Sequence, residues 1–362
     1  MTLDAGIIGT GGVAGLGLLG MHDEADIGAD PVPASHAGGY ARSDRIDLVA
    51  AADIDADQLQ TFGEIYDIPA ARRYTDHEAM LAVEDLDVVS VATPTYLHHD
   101  HVIDAARSAA APDVIWCEKP IAASVADAEA MVETCAETDT DLVVNHTTRF
   151  TDNMIAVREH LRDGLLGDVR SVSTMFRMEV VRNATHVLDT LVFLLDTEAR
   201  TVSGYLTGEN EVVDALGADV AVDDQGGGGH VVFADGTFAT VDCTVPREIA
   251  TYRYELVGTD GKLSIGITDG EWRYWTLTED GHVEADLPGV APDPDEWARG
   301  FATAVDHLAD LATDPDTTNR SPGETAIESL EMIVALFVSH YTDSHISLPL
   351  ADPVRDVTVT SW

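Results

Sequence analysis

The feature that most constrains the fold is a glycine-rich turn near the start of the chain. Residues 3–14 read LDAGIIGTGGVA. An apolar strand leads into Gly9, Gly11 and Ala14, which have the spacing G-x-G-x-x-A. The first glycine permits a tight turn, the second lets the backbone approach a pyrophosphate, and the small alanine allows a helix to pack closely on the strand. The N–H groups that begin this helix would face the phosphates. The motif therefore predicts the first β-turn-α unit of a dinucleotide-binding domain.

Strand-like and helix-like segments alternate over the first 150 residues. The apolar runs IDLVAAAD (46–53), VVSVATP (88–94) and DVIWCE (113–118) are separated by segments with helical patterning. Such alternation predicts a parallel, doubly wound sheet. Residues 22–44, which include two prolines, are interpreted as a loop or insertion, with a helix resuming near Ser35.

The pattern changes after residue 150. Short alternating runs with Asp-Gly turns predict a mainly antiparallel sheet, with helices at about 184–196, 295–313 and 323–342. The segment DQGGGGH (224–230) is interpreted as a flexible turn. We therefore predict an α/β protein: a Rossmann domain with a doubly wound parallel sheet at 1–148, and an α+β domain with a mainly antiparallel sheet at 149–362.

An acid at the end of the second strand identifies the expected cofactor. Asp53 has this position, although the insertion places it later than usual, and Ile54 follows it. The carboxylate should accept hydrogen bonds from the adenosine ribose hydroxyls. A 2′-phosphate about 4 Å from this carboxylate would be repelled by it, at a cost on the order of 4 kcal/mol for an effective dielectric of 20. NAD is therefore favoured, and NADP stays open as an alternative.

Residues that follow the other strands are further candidates for cofactor binding. Thr93 and Pro94 end a strand, at the edge where ligands bind in open α/β sheets, and His98 follows them. His98, His99 and His101 do not lie on one helix face, and no cysteine or acid pair completes a ligand set. No metal site is predicted.

The near absence of lysine draws attention to one position. The chain has two lysines, Lys119 and Lys262, among 20 basic residues. Lys262 lies in a turn between strands, whereas Lys119 follows the apolar run DVIWCE, between Glu118 and Pro120. We interpret Lys119 as a candidate for chemistry.

The composition limits the compartment and the partners. A formal net charge of −45 opposes compaction in dilute buffer. In about 1 M salt the Debye length is about 3 Å, so most of this repulsion vanishes. We interpret the surface as adapted to a high-salt cytoplasm. Nucleic acid is excluded as a partner because its phosphates would be repelled.

Other features of the sequence also favour the cytoplasm. No run of about 18 apolar residues is present, so no membrane span is expected. The N-terminus lacks the basic region of a signal peptide. The cysteines, Cys117, Cys135 and Cys243, show neither disulfide nor zinc spacing.

Several motifs together resemble the Gfo/Idh/MocA oxidoreductases, the family of glucose–fructose oxidoreductase and inositol dehydrogenase. The motifs are GIIGTGGVA, LVAAADID, VATPTYLH, CEKPIA, NHTTRF, THVLDTLVFLLD and YELVGTDGKLSI. The resemblance covers nearly the whole chain, and EKP with its upstream P-x-x-x-H is the most specific part. It implies a Rossmann domain and a second domain whose open antiparallel sheet forms homodimers or homotetramers.

The resemblance also implies roles for individual residues. Lys119 would bind the substrate oxygen and stabilise its negative charge as hydride leaves, and His186 would act as general acid or base. The residues implied or predicted to hold the cofactor are Gly9, Thr10, Gly11, Gly12, Val13, Ala14, Asp53, Ile54, Thr93, Pro94, His98, Glu118 and Lys119. The candidates for substrate binding are Arg149, Glu179, Arg182 and Asn183.

One position departs from the family pattern. Many relatives have an aspartate four residues before the histidine, where this chain has Arg182. Asp189, three residues after His186, cannot simply replace it. Arg182 would instead suit an anionic substrate such as a sugar acid, through a bidentate contact.

We predict an NAD(P)-dependent oxidoreductase acting on a secondary alcohol or carbonyl group of a sugar, polyol or sugar acid. Two alternatives remain open. One is a nucleotide-binding regulator without redox turnover, which the missing aspartate motivates. The other is a lyase, epimerase or glycosidase that oxidises its substrate transiently and retains NAD.

Overall fold

The computed structural model describes residues 2–16, 34–208, 221–246, 248–249, 252–267, 270–291, 293 and 295–360. Most of the predicted insertion, residues 22–33, lies outside the described residues. The chain divides into two compact units. The first comprises residues 1–122, 127–151 and 295–324, and the second comprises 123–126, 152–294 and 325–362.

A six-stranded parallel sheet forms the centre of the first unit. Its strands are β1 (Leu3–Ile8), β2 (Ile46–Ala52), β3 (Arg73–Tyr74), β4 (Val88–Val91), β5 (Val114–Cys117) and β6 (Asp141–Val144). They lie in the order β3-β2-β1-β4-β5-β6, which is the order of a dinucleotide-binding fold. The strands β4 and β5 are buried throughout, as expected for a parallel sheet covered on both faces.

Several helices of the first unit begin at residues whose side chains accept backbone hydrogen bonds. The α-helices are α1 (His36–Arg42), α2 (Ala56–Ile65), α3 (His77–Leu81), α4 (His98–Ala106), α5 (Val125–Glu137), α6 (Asp152–Arg162), α7 (Thr185–Leu195), α8 (Glu296–Thr313) and α9 (Gly323–Thr342). Ser35 caps α1 by accepting from the Gly38 N–H, so the helix resumes where the sequence predicts. Asp55 caps α2 in the same way.

Short turns complete the described helical structure. They are the π-helical turns Gly12–Leu16 and Val180–Ala184, and the 3₁₀ turns Ala70–Arg72, Thr95–Leu97, Thr147–Phe150 and Val354–Asp356. The two π-helical turns belong to segments that the sequence analysis assigns to function.

The late helix α8 packs within the first unit, although the sequence analysis placed its residues in a second domain at 149–362. Its apolar face joins a buried cluster that includes Tyr40, Trp116, Phe150 and Phe301. This burial favours the arrangement because each fully buried large apolar side chain contributes about 1.5–3 kcal/mol. The domain boundary at 148/149 stays a prediction.

A nine-stranded sheet dominates the second unit. The strands that follow β6 are β7 (Val169–Arg177), β8 (Ala199–Leu206), β9 (Ala221–Asp223), β10 (Gly227–Phe233), β11 (Phe238–Val245), β12 (Arg253–Gly258), β13 (Gly261–Gly266), β14 (Trp272–Thr278), β15 (Gly281–Ala285), β16 (Ile346–Ser347) and β17 (Thr358–Thr360). The large sheet has the order β15-β14-β13-β12-β7-β11-β10-β8-β16, and β9 pairs with β17 separately. Among the described strands of the large sheet, only β7 and β11 pair in parallel, so the predicted α/β fold class, with a mainly antiparallel second sheet, is confirmed.

The glycine run at 226–229 is not the flexible turn that the sequence suggested. Gly227–Phe233 is the strand β10, paired on both sides. Glycine is required here by close packing: a Cβ on Gly228 would overlap the Val241 carbonyl, and one on Gly229 would overlap that of Ser203. The prediction was wrong because the neighbouring strands that crowd these glycines are not apparent from the local sequence.

Among the described residues, no helix is both long and apolar enough to cross a membrane.

Candidate active site

The glycine turn after β1 has the geometry that its sequence predicts. Gly9 adopts φ 90°, a conformation that favours glycine. A Cβ at this position would lie 2.7 Å from the Ala92 carbonyl oxygen. The N–H of Gly9 donates to the Ala52 carbonyl at 2.8 Å. The turn is therefore held between the ends of the two neighbouring strands.

The Asp53 carboxylate fastens this turn to the end of β2. Its Oδ2 accepts from the Thr10 N–H at 2.7 Å, from the Thr10 hydroxyl at 2.8 Å and from Gln58 Nε2 at 2.9 Å. Its Oδ1 accepts from the Asp55 N–H at 2.9 Å. A carboxylate has about four acceptor positions, so Oδ1 retains capacity for a ribose hydroxyl.

The surface of the turn fits a pyrophosphate. A Cβ built on Gly11 would meet no described atom nearer than Gln58 Nε2, at 4.0 Å, so the backbone is open to a close approach. Gly12 is exposed and Val13 partly exposed, whereas Ala14 is fully buried, which matches its predicted packing role. Ile54, beside the carboxylate, is 92% exposed.

His98 joins two loops at the carboxyl edge of the sheet. It is 1% exposed, and its Nε2 lies 2.8 Å from the Thr93 carbonyl, while Nδ1 lies 2.9 Å from the Pro120 carbonyl. Burial lowers the pKa of His98, although the two carbonyls partly oppose the shift. The neutral ring donates to one of these carbonyls and the protonated ring to both. The ring thus connects the segment after β4 to the segment after β5.

The other two histidines of this segment do not converge with His98. The Nδ1 of His99 contacts Asp100 at the surface, while that of His101 lies 3.0 Å from the Thr93 hydroxyl. Burial and the nearby histidines lower the pKa of His101 to about 4. Among the described residues, His77, Glu78 and Asp104 each place a ligand atom within 4.8 Å of the others. The absence of a functional metal stays a prediction.

A buried polar network surrounds Glu118. Its Oε1 accepts from Asn145 Nδ2 at 2.5 Å and lies 3.0 Å from His36 Nε2. The other nitrogen of His36 lies 3.1 Å from the Ser90 hydroxyl, and its ring stacks on Trp116 with centroids 3.9 Å apart. These contacts fix the carboxylate in the core directly before Lys119.

The network keeps Glu118 ionised. Burial alone would raise the pKa of Glu118, but the His36 hydrogen bond and charge, the Lys119 charge and the Asn145 hydrogen bond together hold it below its usual value. The Lys119 N–H lies 3.3 Å from Glu118 Oε2. Lys119 itself is partly exposed, and its bond to Pro120 is cis.

In the second unit, the turn before α7 contains most of the remaining candidates. Glu179 has φ 85°, which is unusual for a residue with a side chain. The amide of Asn183 donates to the Met178 carbonyl at 2.6 Å, while its oxygen accepts from Arg177 Nε at 2.9 Å. Asn183 is fully buried and therefore supports the turn from within.

A carboxylate distant in sequence holds the start of this turn. Asp224 Oδ1 accepts from the Val181 N–H at 2.8 Å, and Oδ2 accepts from the Arg182 N–H at 2.9 Å. Burial raises the pKa of Asp224 to about 6, against these hydrogen bonds and with a contribution from the Glu179 charge.

The turn and α7 offer two polar side chains to the surroundings. From residue 181 to 194, only Arg182 and His186 are partly exposed, and every other residue is buried. The Nδ1 atom of His186 lies on the buried side of the ring. The two side chains are four residues apart along the helical segment.

Comparison with known proteins identifies the family. A sequence model for the Gfo/Idh/MocA oxidoreductase family, NAD-binding Rossmann fold, matches residues 3–146. The model for the C-terminal alpha/beta domain of that family matches residues 158–348. The chain belongs to the Gfo/Idh/MocA oxidoreductases.

Relatives of known or assigned activity lie within this family. The chain is 29% identical over 276 residues to D-apiose dehydrogenase of Paraburkholderia graminis, covering 73% of this chain and 71% of that protein. It is 35% identical over 116 residues to 2,7-anhydro-N-acetylneuraminate hydratase of Mediterraneibacter gnavus, covering 32% of this chain and 29% of that protein.

A solved structure shares the fold over nearly the whole length. It is an oxidoreductase from Agrobacterium radiobacter in complex with NAD⁺, L-tartaric acid and magnesium, with a TM-score of 0.74 and 20% identity, covering 96% of this chain and 98% of that one. The predictions of the family, of an oxidoreductase and of an NAD-binding domain are therefore confirmed.

The predicted site residues of this family member fall into three places. The glycine turn, Asp53 and the residues after β4 and β5 lie at one edge of the first sheet, and Glu179, Arg182, Asn183 and His186 lie together in the second unit. Arg149 is 3% exposed and donates to the Arg320 carbonyl at 3.1 Å, inside the first unit. Its substrate role, like the roles of the other residues, stays a prediction.

Sequence reasoning missed three residues that support the Gfo/Idh/MocA site. Asn145 follows β6 at the same sheet edge as Thr93, and that position could have identified it. His36 lies within the predicted insertion at 22–44, where nothing in the sequence indicates its contact with Glu118. Asp224 had no local signal, because its partners lie more than 40 residues earlier in the chain.

Proposed function

We propose that this chain is an NAD(P)-dependent oxidoreductase that acts on a secondary alcohol or carbonyl group of a sugar, a polyol or a sugar acid. The observation that most supports it is the position of Lys119 beside the ionised Glu118, after β5 of the Rossmann sheet. Ligands of such sheets bind at the carboxyl ends of the strands. NAD, when bound, supplies the hydride acceptor or donor.

The first unit would hold the cofactor. The backbone N–H groups of the turn at 9–14 would bind the pyrophosphate. Asp53 would accept from the adenosine ribose, and the exposed Ile54 would offer apolar surface beside it. Thr93, Pro94 and His98 would line the edge of the site, with His98 acting through the two loops that it joins.

Lys119 would polarise the reacting oxygen of the substrate. Its ammonium would donate a hydrogen bond to this oxygen and stabilise the negative charge that develops as hydride leaves the carbon. Glu118 and Lys119 attract each other, and this attraction is one of the causes that hold the pKa of Glu118 below its usual value.

His186 would transfer the hydroxyl proton. Its ring is partly exposed while Nδ1 is buried, so Nε2 is the atom that we assign to the substrate. The ordinary pKa of an imidazole, about 6.5, suits proton transfer near neutral pH. A positioned base of this kind contributes about 10²–10⁴-fold to the rate.

Arg182 would select the substrate. It is the other partly exposed residue of the segment, four residues before His186. A guanidinium suits a carboxylate, so we propose an acidic sugar derivative as the substrate class. Leucine in place of Arg182 should raise KM for acidic substrates more than for neutral ones, and an unchanged KM for every acidic substrate would exclude this role.

The function is tested by a substrate panel of sugars, polyols and sugar acids, assayed by NADH absorbance in molar KCl. We expect one class of substrates to give NADH with the wild type and with Lys262→Ala, but not with Lys119→Ala. Lys262 is a matched control, because its ammonium lies over the Trp275 ring, 4.2 Å from the centroid, in the second unit's sheet. Absence of turnover across the panel would contradict the proposal.

The similarity to a hydratase favours a second candidate. In this reaction class the cofactor oxidises the substrate transiently and is regenerated on the same enzyme, so no NADH accumulates. Product analysis of the same panel by mass spectrometry separates the two: retained NAD with a dehydrated, hydrated or epimerised product supports the second candidate, and stoichiometric NADH supports the first.

We further propose a cytoplasmic homodimer or homotetramer formed through the large sheet. The three cysteines are buried and unpaired with one another, as a reducing compartment permits. The sheet exposes large apolar side chains: Met175 is 43%, Phe238 41%, Val257 45% and Tyr205 66% exposed. Light scattering in molar KCl should give two or four times 38.7 kDa, and Phe238→Asp should lower this mass. A monomeric wild type would contradict the proposal.

A further inference from the structure

The start of the α7 segment is held from outside its own helix. The first N–H groups of a helix have no intrahelical acceptor. In this chain Asp224, which directly follows β9, accepts two of them, from Val181 and Arg182. The next residue, Gln225, accepts from the Val180 N–H at 2.8 Å. Three consecutive N–H groups of the turn are thus bound by two consecutive residues of a distant loop.

The turn that Asp224 holds is under conformational constraint. Glu179 occupies the left-handed region, at φ 85° and ψ 97°, which is strained for a residue with a side chain and persists only where the surroundings enforce it. The next five residues form a π-helical turn, a feature that is frequent at functional sites. The contacts of Asp224 and Gln225 are among those that enforce this geometry.

The same segment presents the two side chains to which we assign function. Arg182 donates its N–H to Asp224, and His186 follows one turn later in the same continuous helical segment. A rotation or unwinding of the first turn would therefore displace both side chains. Displacements of about 1 Å at a catalytic group can reduce rates by about 10²-fold.

We propose that Asp224 is a positioning residue for the proposed catalytic His186 and for Arg182: its carboxylate fixes the start of the helix that presents them, and neutralising it releases that start. The inference rests on the proposed function for its kinetic consequence only. Its structural consequence, tighter backbone protection at Val181 and Arg182, does not depend on the reaction.

The charge of Asp224 is the variable that controls this contact. The ionised carboxylate accepts from both N–H groups through its two oxygens, whereas a protonated carboxyl turns one oxygen into a donor and gives up one of the bonds. Burial raises the pKa of Asp224 to about 6, the Glu179 charge adds to the shift, and the backbone N–H groups oppose it. Burial and the charges of Asp242 and Asp224 raise the pKa of the Cys243 thiol on β11. When the turn opens with Asp224 still buried, the carboxylate loses the two N–H bonds that lower its pKa, so its pKa rises further. Ionisation above about pH 6 therefore favours the ordered turn over this opened state.

The test measures backbone exchange and kinetics on the full-length protein in molar KCl. In Asp224→Asn, hydrogen exchange at Val181 and Arg182 should accelerate, and kcat should fall by about 10–10²-fold with NAD⁺ affinity unchanged. The acid limb of the kcat profile should also change. In the control Asp235→Asn, exchange and kcat should match the wild type, because Asp235 accepts from the Thr237 N–H in an exposed turn.

A measurement on the wild type covers the case in which Asp224→Asn does not fold. As the pH falls through about 6, the protection factors at Val181 and Arg182 should decrease while those of β10 stay constant. Unchanged protection in both the variant and the acid titration would overturn the inference. If the wild type has no redox turnover, the exchange data still decide the role of Asp224. If Asp224→Asn has the same kcat as an active wild type, the role of Asp224 is overturned and the proposed function is left intact.

Discussion

At the scale of single residues, one carboxylate in the first unit has an observed role and a proposed one. Asp53 anchors the glycine turn through Thr10, and we propose that it also accepts from the adenosine ribose. The sequence alone indicates the ribose contact, from the place of Asp53 after β2. It does not indicate the contact with Thr10, since the spacing of a motif gives no information on which backbone group a side chain will bind.

Replacement of Asp53 by asparagine should change cofactor choice. The amide keeps one acceptor but loses the charge. NAD⁺ affinity should therefore fall by about tenfold, because a hydrogen bond to a charged group contributes about 1.5 kcal/mol. NADP⁺ should bind better relative to NAD⁺, because the repulsion of its 2′-phosphate is removed. Calorimetric titration with both cofactors measures the ratio.

The control is Asp55→Asn. Asp55 caps α2 through the N–H groups of Asp57 and Gln58, a task that asparagine performs equally well. Its ratio of NAD⁺ to NADP⁺ affinity should equal that of the wild type. A wild-type ratio in Asp53→Asn would show that Asp53 does not read the ribose.

At the scale of elements, the helix α8 shows how a late segment completes an early domain. Phe301 lies against the His36 and Trp116 rings, with centroids 6.1 Å and 6.0 Å away. The Gly39 position is glycine because a Cβ there would approach the Phe301 carbonyl to 2.8 Å. The helix therefore supports the ring that contacts Glu118.

Truncation of Phe301 to alanine should destabilise the first unit. Loss of a buried aromatic side chain typically costs about 3–5 kcal/mol, through lost burial and the cavity left behind. The partly buried Thr303 is the control, and its replacement by alanine should change stability by about 0.5 kcal/mol or less. Chemical denaturation in molar KCl measures both, and equal stability of the two variants would contradict this packing.

The elements also show what the sequence could reveal. The alternation of apolar runs and helical segments predicted the parallel sheet, since strand and helix periods are local properties. The strand β10 and the placement of α8 were not predicted, because both depend on partners far away in the chain: Ser203 and Val241 for the glycines, and Trp116 for Phe301. The turn before α7, the helix that contains His186, was likewise predicted only as the start of a helix. Its contact with Asp224 was not predicted.

At the scale of the whole molecule, charge dominates. The chain has 65 acidic residues but only 20 lysines and arginines, which gives a formal net charge of −45. Ion pairs such as those of Asp310 with Arg45 and of Glu284 with Arg273 can therefore offset only part of the negative charge. These pairs are exposed, so each contributes little to stability. The remaining acids repel one another, and salt must screen them.

Salt should therefore stabilise the protein strongly. Raising KCl from about 0.1 M to about 1 M shortens the Debye length from about 10 Å to about 3 Å. The melting temperature should rise over this range, most steeply at its low end, and then level off. Scanning calorimetry measures it, with sucrose at equal osmolarity as the control for preferential exclusion. A melting temperature independent of KCl would contradict the interpretation of the surface.

We propose that the Lys119 ammonium acts mainly on the substrate, and that its predicted contribution to cofactor binding is small. The most direct test is to measure kcat and the NAD⁺ dissociation constant together, for Lys119→Ala and for Lys262→Ala. We expect kcat of Lys119→Ala to fall by about 10²–10³-fold, as for the loss of one oxyanion-stabilising donor, with little change in NAD⁺ binding. Lys262→Ala should match the wild type in both. A Lys119→Ala protein that turns over at the wild-type rate would contradict it.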